Sequence, residues 1–238
     1  MALRMIAKPS PKEEAEKPFW ISFSDLMTAL MVLFLVAMAV ALLAVTKGVS
    51  DIKAQEGARA ASVDLCITNI RNASRDFPGV TIRDHTIDFG TLANFGLASN
   101  QLKPEQGDFL RRFVPRVLTI TKRTECQNWL KRIVVDGFAS DEGSYMTNLN
   151  LSIQRSERVL CALLDPNAPK APSEEDRKLI QRLFLVGGSS SNSLMRSREE
   201  SRRIELRIEF YDLKEPREKS DQDIPYVSKD FTCPIESR

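Results

Sequence analysis

An uncharged apolar run near the amino terminus limits how this chain can fold more than any other feature. Leu26 to Val45 gives 20 consecutive residues without a charge, enough for a helix across a hydrocarbon core of about 30 Å. Asp25 stands directly before the run, and a carboxylate inside such a helix costs about 3 kcal/mol on insertion scales. The sequence therefore predicts one membrane-spanning helix with an acid at its entrance. That acid either marks an ion pathway or caps the helix at the interface.

The residues around the run indicate an uncleaved anchor. No small-residue cleavage pattern follows it, because the next residues are Thr46, Lys47 and Gly48. All four cysteines also follow the run, and an even number on one side of a membrane fits an oxidising compartment; reduced core cysteines are the alternative. We expect disulfides, with the pairing left open, among Cys66, Cys126, Cys161 and Cys233.

Composition excludes several classes of function. The net charge is only +2, from 34 basic and 32 acidic residues, which gives no support for a nucleic-acid-binding surface. His85 is the single histidine and no CxxC pair is present, so we expect no metal site and no cofactor. Without a phosphate-binding or nucleophile motif, we expect no enzyme.

Periodicity beyond the run predicts an α+β fold with a mixed sheet and helices on one face. The expected helices are 107–122, which Pro115 bends or breaks, and 148–164. The loop 165–176 is rich in proline. The expected strands are 80–89, 130–138, 183–187 and 203–211.

Five consecutive parts are expected. They are a flexible cytoplasmic tail at 1–18, a transmembrane helix at 19–46, a stalk helix at 47–78, one soluble domain at 79–212 and a polar tail at 213–238.

Two segments resemble known families. PFWISFSDLMTALMVLFLVAMAV, from Pro18 to Val40, resembles the transmembrane helix of MotB-like stator B subunits. GFASDEGSYMTNLNLSIQRSERVL, from Gly137 to Leu160, is similar to the OmpA-like peptidoglycan-binding domain, an α/β sandwich. The short chain and its cysteines look closest to the B subunits of the Zorya anti-phage defence system, a stator relative.

The resemblance implies a proton-driven motor in a bacterial inner membrane. The amino terminus would lie in the cytoplasm and the carboxyl-terminal domain in the periplasm. The implied partners are a multi-span A subunit forming a pentamer, a second copy of this chain in a homodimer, and peptidoglycan. A flagellar-type stator subunit and a passive membrane-to-wall tether are the alternatives.

The resemblance also assigns residues. Asp25 would carry the ion, with a proton favoured over Na⁺ because the surroundings are apolar, and the candidates to line the path are Ser22, Ser24 and Thr28. Hydroxyls bonded back to helix carbonyls are the simpler interpretation of those three. The implied peptidoglycan site is Ser140, Asp141, Asn148, Leu151 and Arg155.

This chain departs from the wall-binding pattern at two positions. Ser140 replaces the motif aspartate, with Asp141 one residue later, and Thr147 replaces the motif tyrosine. Arg155 would bind a peptide carboxylate with its planar fork. The alternative is an ion pair with Glu142 or Glu157. Of Arg202 and Arg203, we expect one to brace the site and one to lie on the surface.

Overall fold

The structure is a computed structural model that describes residues 11–216 and 232–235; for 11–19, 21 and 22 it describes the backbone only. The chain divides into two compact units, Met1–Glu56 and Gly57–Arg238. The sequence prediction for residues 1–10, and for most of the tail beyond 216, lies outside the described residues.

Six helices and five strands are described. The helices are α1 (Pro11–Ala73), α2 (Pro104–Thr121), α3 (Thr124–Gln127), α4 (Tyr145–Leu164), α5 (Glu174–Leu183) and α6 (Arg198–Ser201). The strands are β1 (Thr81–Arg83), β2 (Thr86–Asp88), β3 (Leu130–Gly137), β4 (Phe184–Gly188) and β5 (Ile204–Phe210).

In the first unit, α1 is an exposed apolar helix. Every described side chain from Phe23 to Val45 is exposed, and the helix is apolar enough to cross a membrane. Residues 11–18, expected as part of a flexible tail, are helical. Removing apolar side chains from water is favourable because it lowers the free energy. This stretch therefore needs lipid or partner helices around it.

In the second unit, the five strands form one mixed sheet in the order β1-β2-β5-β3-β4. Only β3 and β4 run parallel, while the other neighbours are antiparallel. Alternate residues of the central strands, such as Ile133 and Val135 in β3 and Leu206 in β5, join the core together with side chains of α2, α4 and α5. The predicted α+β fold with helices on one face of a mixed sheet is therefore confirmed.

The opposite face of the sheet is charged. Arg207 bonds Asp136 at 2.9 Å across β5 and β3, and Arg132 bonds Glu209 at 2.6 Å. Cross-strand pairs of opposite charge stabilise an antiparallel sheet modestly. Strand β5 therefore alternates as its sequence predicts, with Ile204, Leu206 and Ile208 in the core.

The carboxyl-terminal end of α1 belongs to the core of the second unit. Val63, Cys66, Ile67 and Ile70 are buried, and the unit begins at Gly57. The expected boundary between stalk and domain at 78 and 79 is therefore too late, because the apolar stripe of this segment packs against the domain.

Two disulfides connect distant parts of the second unit. Cys66 of α1 is bonded to Cys126 of α3, 60 residues apart, and Cys161 of α4 is bonded to Cys233, 72 residues apart. The cysteines are thus oxidised in the structure, and the first bond ties the end of α1 to the rest of the core.

Helix α4 approaches the sheet closely at glycines. A Cβ atom at Gly137 would lie 2.0 Å from the carbonyl oxygen of Ser152, and one at Gly188 would lie 2.7 Å from its hydroxyl. Ser156 also donates a hydrogen bond of 2.8 Å to the carbonyl of Gly187. Glycine at the ends of β3 and β4 therefore allows the helix to lie directly on the sheet.

One local expectation was wrong, and one of the two alternatives for Pro115 is excluded. Helix α5 occupies residues expected as loop and strand; Ser173 caps it by accepting from the backbone N–H of Asp176, and Ile180 is buried beneath it. Pro115 does not break α2, which runs to Thr121. Val114, Val117 and Leu118 are buried around the proline, and this packing holds the helix together despite the missing hydrogen bond.

The disulfide between Cys66 and Cys126 should stabilise the domain strongly. In the chain-entropy account, a loop of 60 residues corresponds to about 4 kcal/mol. Replacing both cysteines by serine should lower the melting temperature of the full chain in detergent by about 10 °C. The same chain melted under non-reducing and reducing conditions provides the control, and an unchanged melting temperature would contradict the assignment.

The substitution Gly137→Ala should destabilise the domain by about 3 kcal/mol, because the backbone of α4 must move away from the new methyl group. Gly57→Ala is the matched control, since nothing lies within 4 Å of a Cβ there. In that helix, alanine should stabilise by about 1 kcal/mol or less. Thermal unfolding of both variants measures the contrast, and equal melting curves would rule out the close helix–sheet contact.

Candidate functional site

The first candidate site is the entrance of the apolar helix. Asp25 lies within α1 and is exposed, as are its described neighbours. The hydroxyl of Thr28 donates to the carbonyl of Ser24 at 2.7 Å. The simpler interpretation of Thr28, a bond back to its own helix, is therefore confirmed. The side chain of Ser22 lies outside the described residues.

The second candidate site is the loop after β3, which leads into α4. Gly143 adopts a φ of 102°, which favours glycine, and it is followed by Ser144, which caps α4 by accepting from the backbone N–H of Thr147. The side chain of Asn148 is buried and donates to the carbonyl of Ser140 at 2.9 Å. The structure therefore brings Ser140 and Asn148 into direct contact.

Asp141 and Glu142 belong to an ion network. Arg198 of α6 bonds Asp141 at 2.9 Å and Glu142 at 3.4 Å. Arg202 bonds Glu142 at 3.4 Å and Glu199 at 2.9 Å. We call these five residues the loop network. Asp141 and Glu142 are therefore held by ion pairs, because α6 and the residue after it place the guanidinium groups of Arg198 and Arg202 against them.

Hydrogen bonds within the loop network shift the pKa values of Glu199 and Arg198. The hydrogen bond from Arg202 lowers the pKa of Glu199, and the hydrogen bond to Asp141 raises the pKa of Arg198. Ser140 adds a bond of 2.8 Å from its hydroxyl to Glu142. The loop thus presents carboxylates that are held in place, and the Asp141 side chain is still 50% exposed.

Arg155 is fully buried, with 0% of its surface exposed. Its guanidinium donates to three backbone carbonyls, those of Gly96 at 3.0 Å, Ser99 at 2.9 Å and Phe138 at 2.7 Å. It also lies over the ring of Phe95. Neither Glu142 nor Glu157 pairs with it, so the ion-pair alternative from the sequence is wrong.

Burial also changes the pKa of Arg155. Desolvation, followed by the positive charge of Arg202, lowers the pKa of Arg155 to about 10. The group remains charged at neutral pH. Three carbonyl acceptors therefore stabilise a cation that no carboxylate pairs with among the described residues.

Leu151 is the remaining residue of the predicted wall site. Leu151 lies one turn after Asn148 on α4 and is half-buried, and residues three and seven apart share a helix face.

Arg202 and Arg203 are both buried, so the expectation that one lies on the surface is wrong. Arg203 stacks 4.1 Å from the Phe138 ring and pairs with Glu205.

Sequence reasoning missed Arg198 as a member of the site. It follows the serine-rich loop 189–193 and belongs to a short helix with little apolar pattern. The signal that could have found it is the acidic first turn, Glu199 and Glu200, after the cap Ser197, which accepts from the backbone N–H of Glu200.

A family model and several solved structures are similar to parts of this chain. A family model described as "Membrane MotB of proton-channel complex MotA/MotB" matches residues 4–47. Among solved structures, the periplasmic domain of MotB is 14% identical with a TM-score of 0.38, covering 56% of this chain and 68% of that one. The OmpA-like domain of FopA1 from Francisella tularensis subsp. tularensis SCHU S4 is 13% identical with a TM-score of 0.35, covering 56% and 82%. TM-scores this low carry no further conclusion.

A curated relative matches almost the full length. The Zorya protein ZorB of Escherichia coli O139:H28 (strain E24377A / ETEC) is 41% identical over 235 residues, which cover 96% of this chain and 95% of the relative. Because the identity is high and extends over both chains, this chain belongs to the ZorB family of Zorya proteins.

Proposed function

We propose that the chain is the membrane-anchored B subunit of a proton-driven, stator-like complex in a Zorya anti-phage defence system. The observation that carries this proposal is the 41% identity over 96% of the chain to a Zorya protein ZorB. The match of residues 4–47 to the MotB model, which concerns a proton-channel complex, supports the ion-conducting part.

Asp25 is the proton carrier in this proposal. It stands directly before the uncharged apolar run Leu26–Val45, whose side chains are all exposed in the single chain. Packed among partner helices, the carboxylate would be desolvated, and desolvation favours its protonated form. The membrane potential supplies about 2.3 kcal/mol per charge per 100 mV. Protonation on one side and release on the other would couple that energy to motion, with Ser22, Ser24 and Thr28 beside the path.

A single helix cannot enclose an ion path, so the proposal requires partners. We infer that two copies of this chain place their helices inside a ring of five multi-span A subunits. The exposed apolar surface of α1 supports a helix-lined environment, since Met27, Met31 and Met38 are all exposed there and methionine packs well against varied partners.

The two disulfides support the proposed orientation. All four cysteines follow the apolar helix and are bonded in two pairs. Disulfides persist in the bacterial periplasm and are rare in the cytoplasm. We therefore infer an inner-membrane protein with a cytoplasmic amino terminus and a periplasmic domain, the part that would meet the cell wall.

The domain would bind a peptide stem of peptidoglycan at the loop after β3. Asp141 is half-exposed and would accept an ammonium group, while Ser140, Asn148 and Leu151 shape the adjoining surface. In the described conformation Arg155 is occupied by three carbonyls. Its contact with a peptide carboxylate therefore requires the segment 96–99 to give up at least one of those bonds.

Asp25→Asn should abolish proton flux and phage protection, because the amide cannot exchange a proton. Membrane insertion and complex assembly should remain unchanged. The matched control is Asp51→Asn, an exposed acid of the same helix beyond the apolar run, which should keep full activity. Full activity of the Asp25 variant would leave only a passive membrane-to-wall tether.

Asp141→Asn should weaken retention of the solubilised full chain on purified sacculi by about tenfold, the effect of losing one charge-assisted bond. The matched control is Asp84→Asn, at the turn between β1 and β2 with a φ of 49°, which asparagine tolerates. The melting temperature of both variants should match that of the parent. Equal retention of the two would refute this ammonium site.

Arg155→Ala separates wall binding from folding. It should reduce retention on sacculi, and it should also lower the melting temperature because three backbone carbonyls lose their donor. Undiminished retention at a temperature where the variant is still folded would show that Arg155 serves only the fold.

A further inference from the structure

A pocket beside the first turn of α2 has no part in the proposed function. Its volume is about 260 Å³, and α2, the last turns of α4 and the segment around Cys233 form its walls. None of its lining residues belongs to the loop network or to the wall site. The kind of ligand that it could bind therefore depends on the side chains that line it.

The lining of the pocket is positively charged. Lys103, Arg111 and Arg158 line it, against a single acid, Asp165. Asp165 already accepts a backbone bond of 2.8 Å from Asn167. The nearby Asp108 and Lys170 pair with each other at 3.4 Å. Counting this acid and this base together leaves the net charge around the pocket unchanged. The lining residues thus carry a net charge of +2.

Arg111 is built into this wall. It is 9% exposed; its guanidinium bonds Asp108 at 2.6 Å and donates to the carbonyl of Ala162 at 3.2 Å. No residue in the described part of the chain accepts from its buried Nε. A Cβ at Gly107 would lie 3.1 Å from one of its terminal nitrogens. Glycine at 107 therefore leaves room for the guanidinium beside the first turns of α2.

The disulfide between Cys161 and Cys233 positions Arg158. One terminal nitrogen of Arg158 donates to the carbonyl of Ile235 at 3.0 Å, and the other lies 3.4 Å from the sulfur of Cys233. Segment 232–235 reaches α4 through that covalent bond. Without the bond, the pocket loses one wall and Arg158 loses two of its contacts.

We propose that this pocket binds a small oxyanion, either phosphate or a carboxylate group, and that the Cys161–Cys233 disulfide is required for its assembly. Guanidinium groups bind both kinds of oxyanion through paired hydrogen bonds. The amino terminus of the 18-residue helix α2 adds a favourable dipole beside Lys103.

Inorganic phosphate and acetate are the two probes, titrated against the full chain in detergent at constant ionic strength. Thermal unfolding reports binding, because a ligand of the folded state raises the melting temperature in a saturable manner. Stabilisation by phosphate alone narrows the ligand to phosphates, and stabilisation by acetate alone narrows it to carboxylates. No saturable shift with either probe overturns the proposal.

Lys103→Gln tests the position of the site. This side chain is exposed, so the fold should survive, and the apparent affinity should fall about tenfold. Lys178→Gln is the matched control, an exposed lysine on α5 paired with Glu174, and it should bind like the parent. Equal affinity of parent and Lys103 variant shows that the anion acts elsewhere, which overturns the proposal.

The disulfide requirement is tested separately. The double substitution of Cys161 and Cys233 by serine should abolish the saturable shift, as should Arg158→Gln, which keeps both cysteines. The double serine variant of Cys66 and Cys126 removes a bond of similar span and should retain binding despite its lower melting temperature. Binding that persists without Cys161 and Cys233 refutes the requirement.

Discussion

The buried charge of Arg155 is the interaction on which the architecture around the loop after β3 depends. One side chain of α4 ties the segment before α2, through Gly96 and Ser99, to the end of β3 at Phe138. An unpartnered charge in this interior would be very costly, so a carbonyl can leave Arg155 only when another acceptor, such as the proposed peptide carboxylate, takes its place. The bond to Phe138 also fixes the position of the loop Ser140–Gly143, because this loop begins two residues later.

Around this fixed point, close backbone contacts and covalent bonds add to the apolar core that joins the helices to the sheet. Glycines at 137 and 188 let α4 lie on the sheet, and the loop network holds α6 against the loop. The two disulfides tie the end of α1 and the segment 232–235 to the same unit. A domain that bears load between a membrane and a wall benefits from cross-links that local unfolding cannot release.

Only part of the site could be predicted from the sequence, because sequence patterns indicate local features and not contacts between residues far apart in the chain. Asp25, the loop after β3 and the helix carrying Asn148 follow from an apolar run and a local motif. Arg198 and the pocket at Lys103 do not, because their partners lie far away in sequence; Arg198, for example, meets Asp141 57 residues earlier. Likewise, α5 has few apolar residues, and its burial at Ile180 depends on the elements that cover it.

The sequence by itself determined that the chain carries one apolar helix with an acid at its entrance, and that its domain alternates strands and helices, since both depend on periodicity along the chain. The tertiary structure alone decided which cysteines pair, that the end of α1 lies inside the domain, and that Arg155 serves backbone carbonyls rather than a carboxylate. Those outcomes depend on which distant groups meet, and burial makes an unsatisfied polar group too costly to leave without a partner.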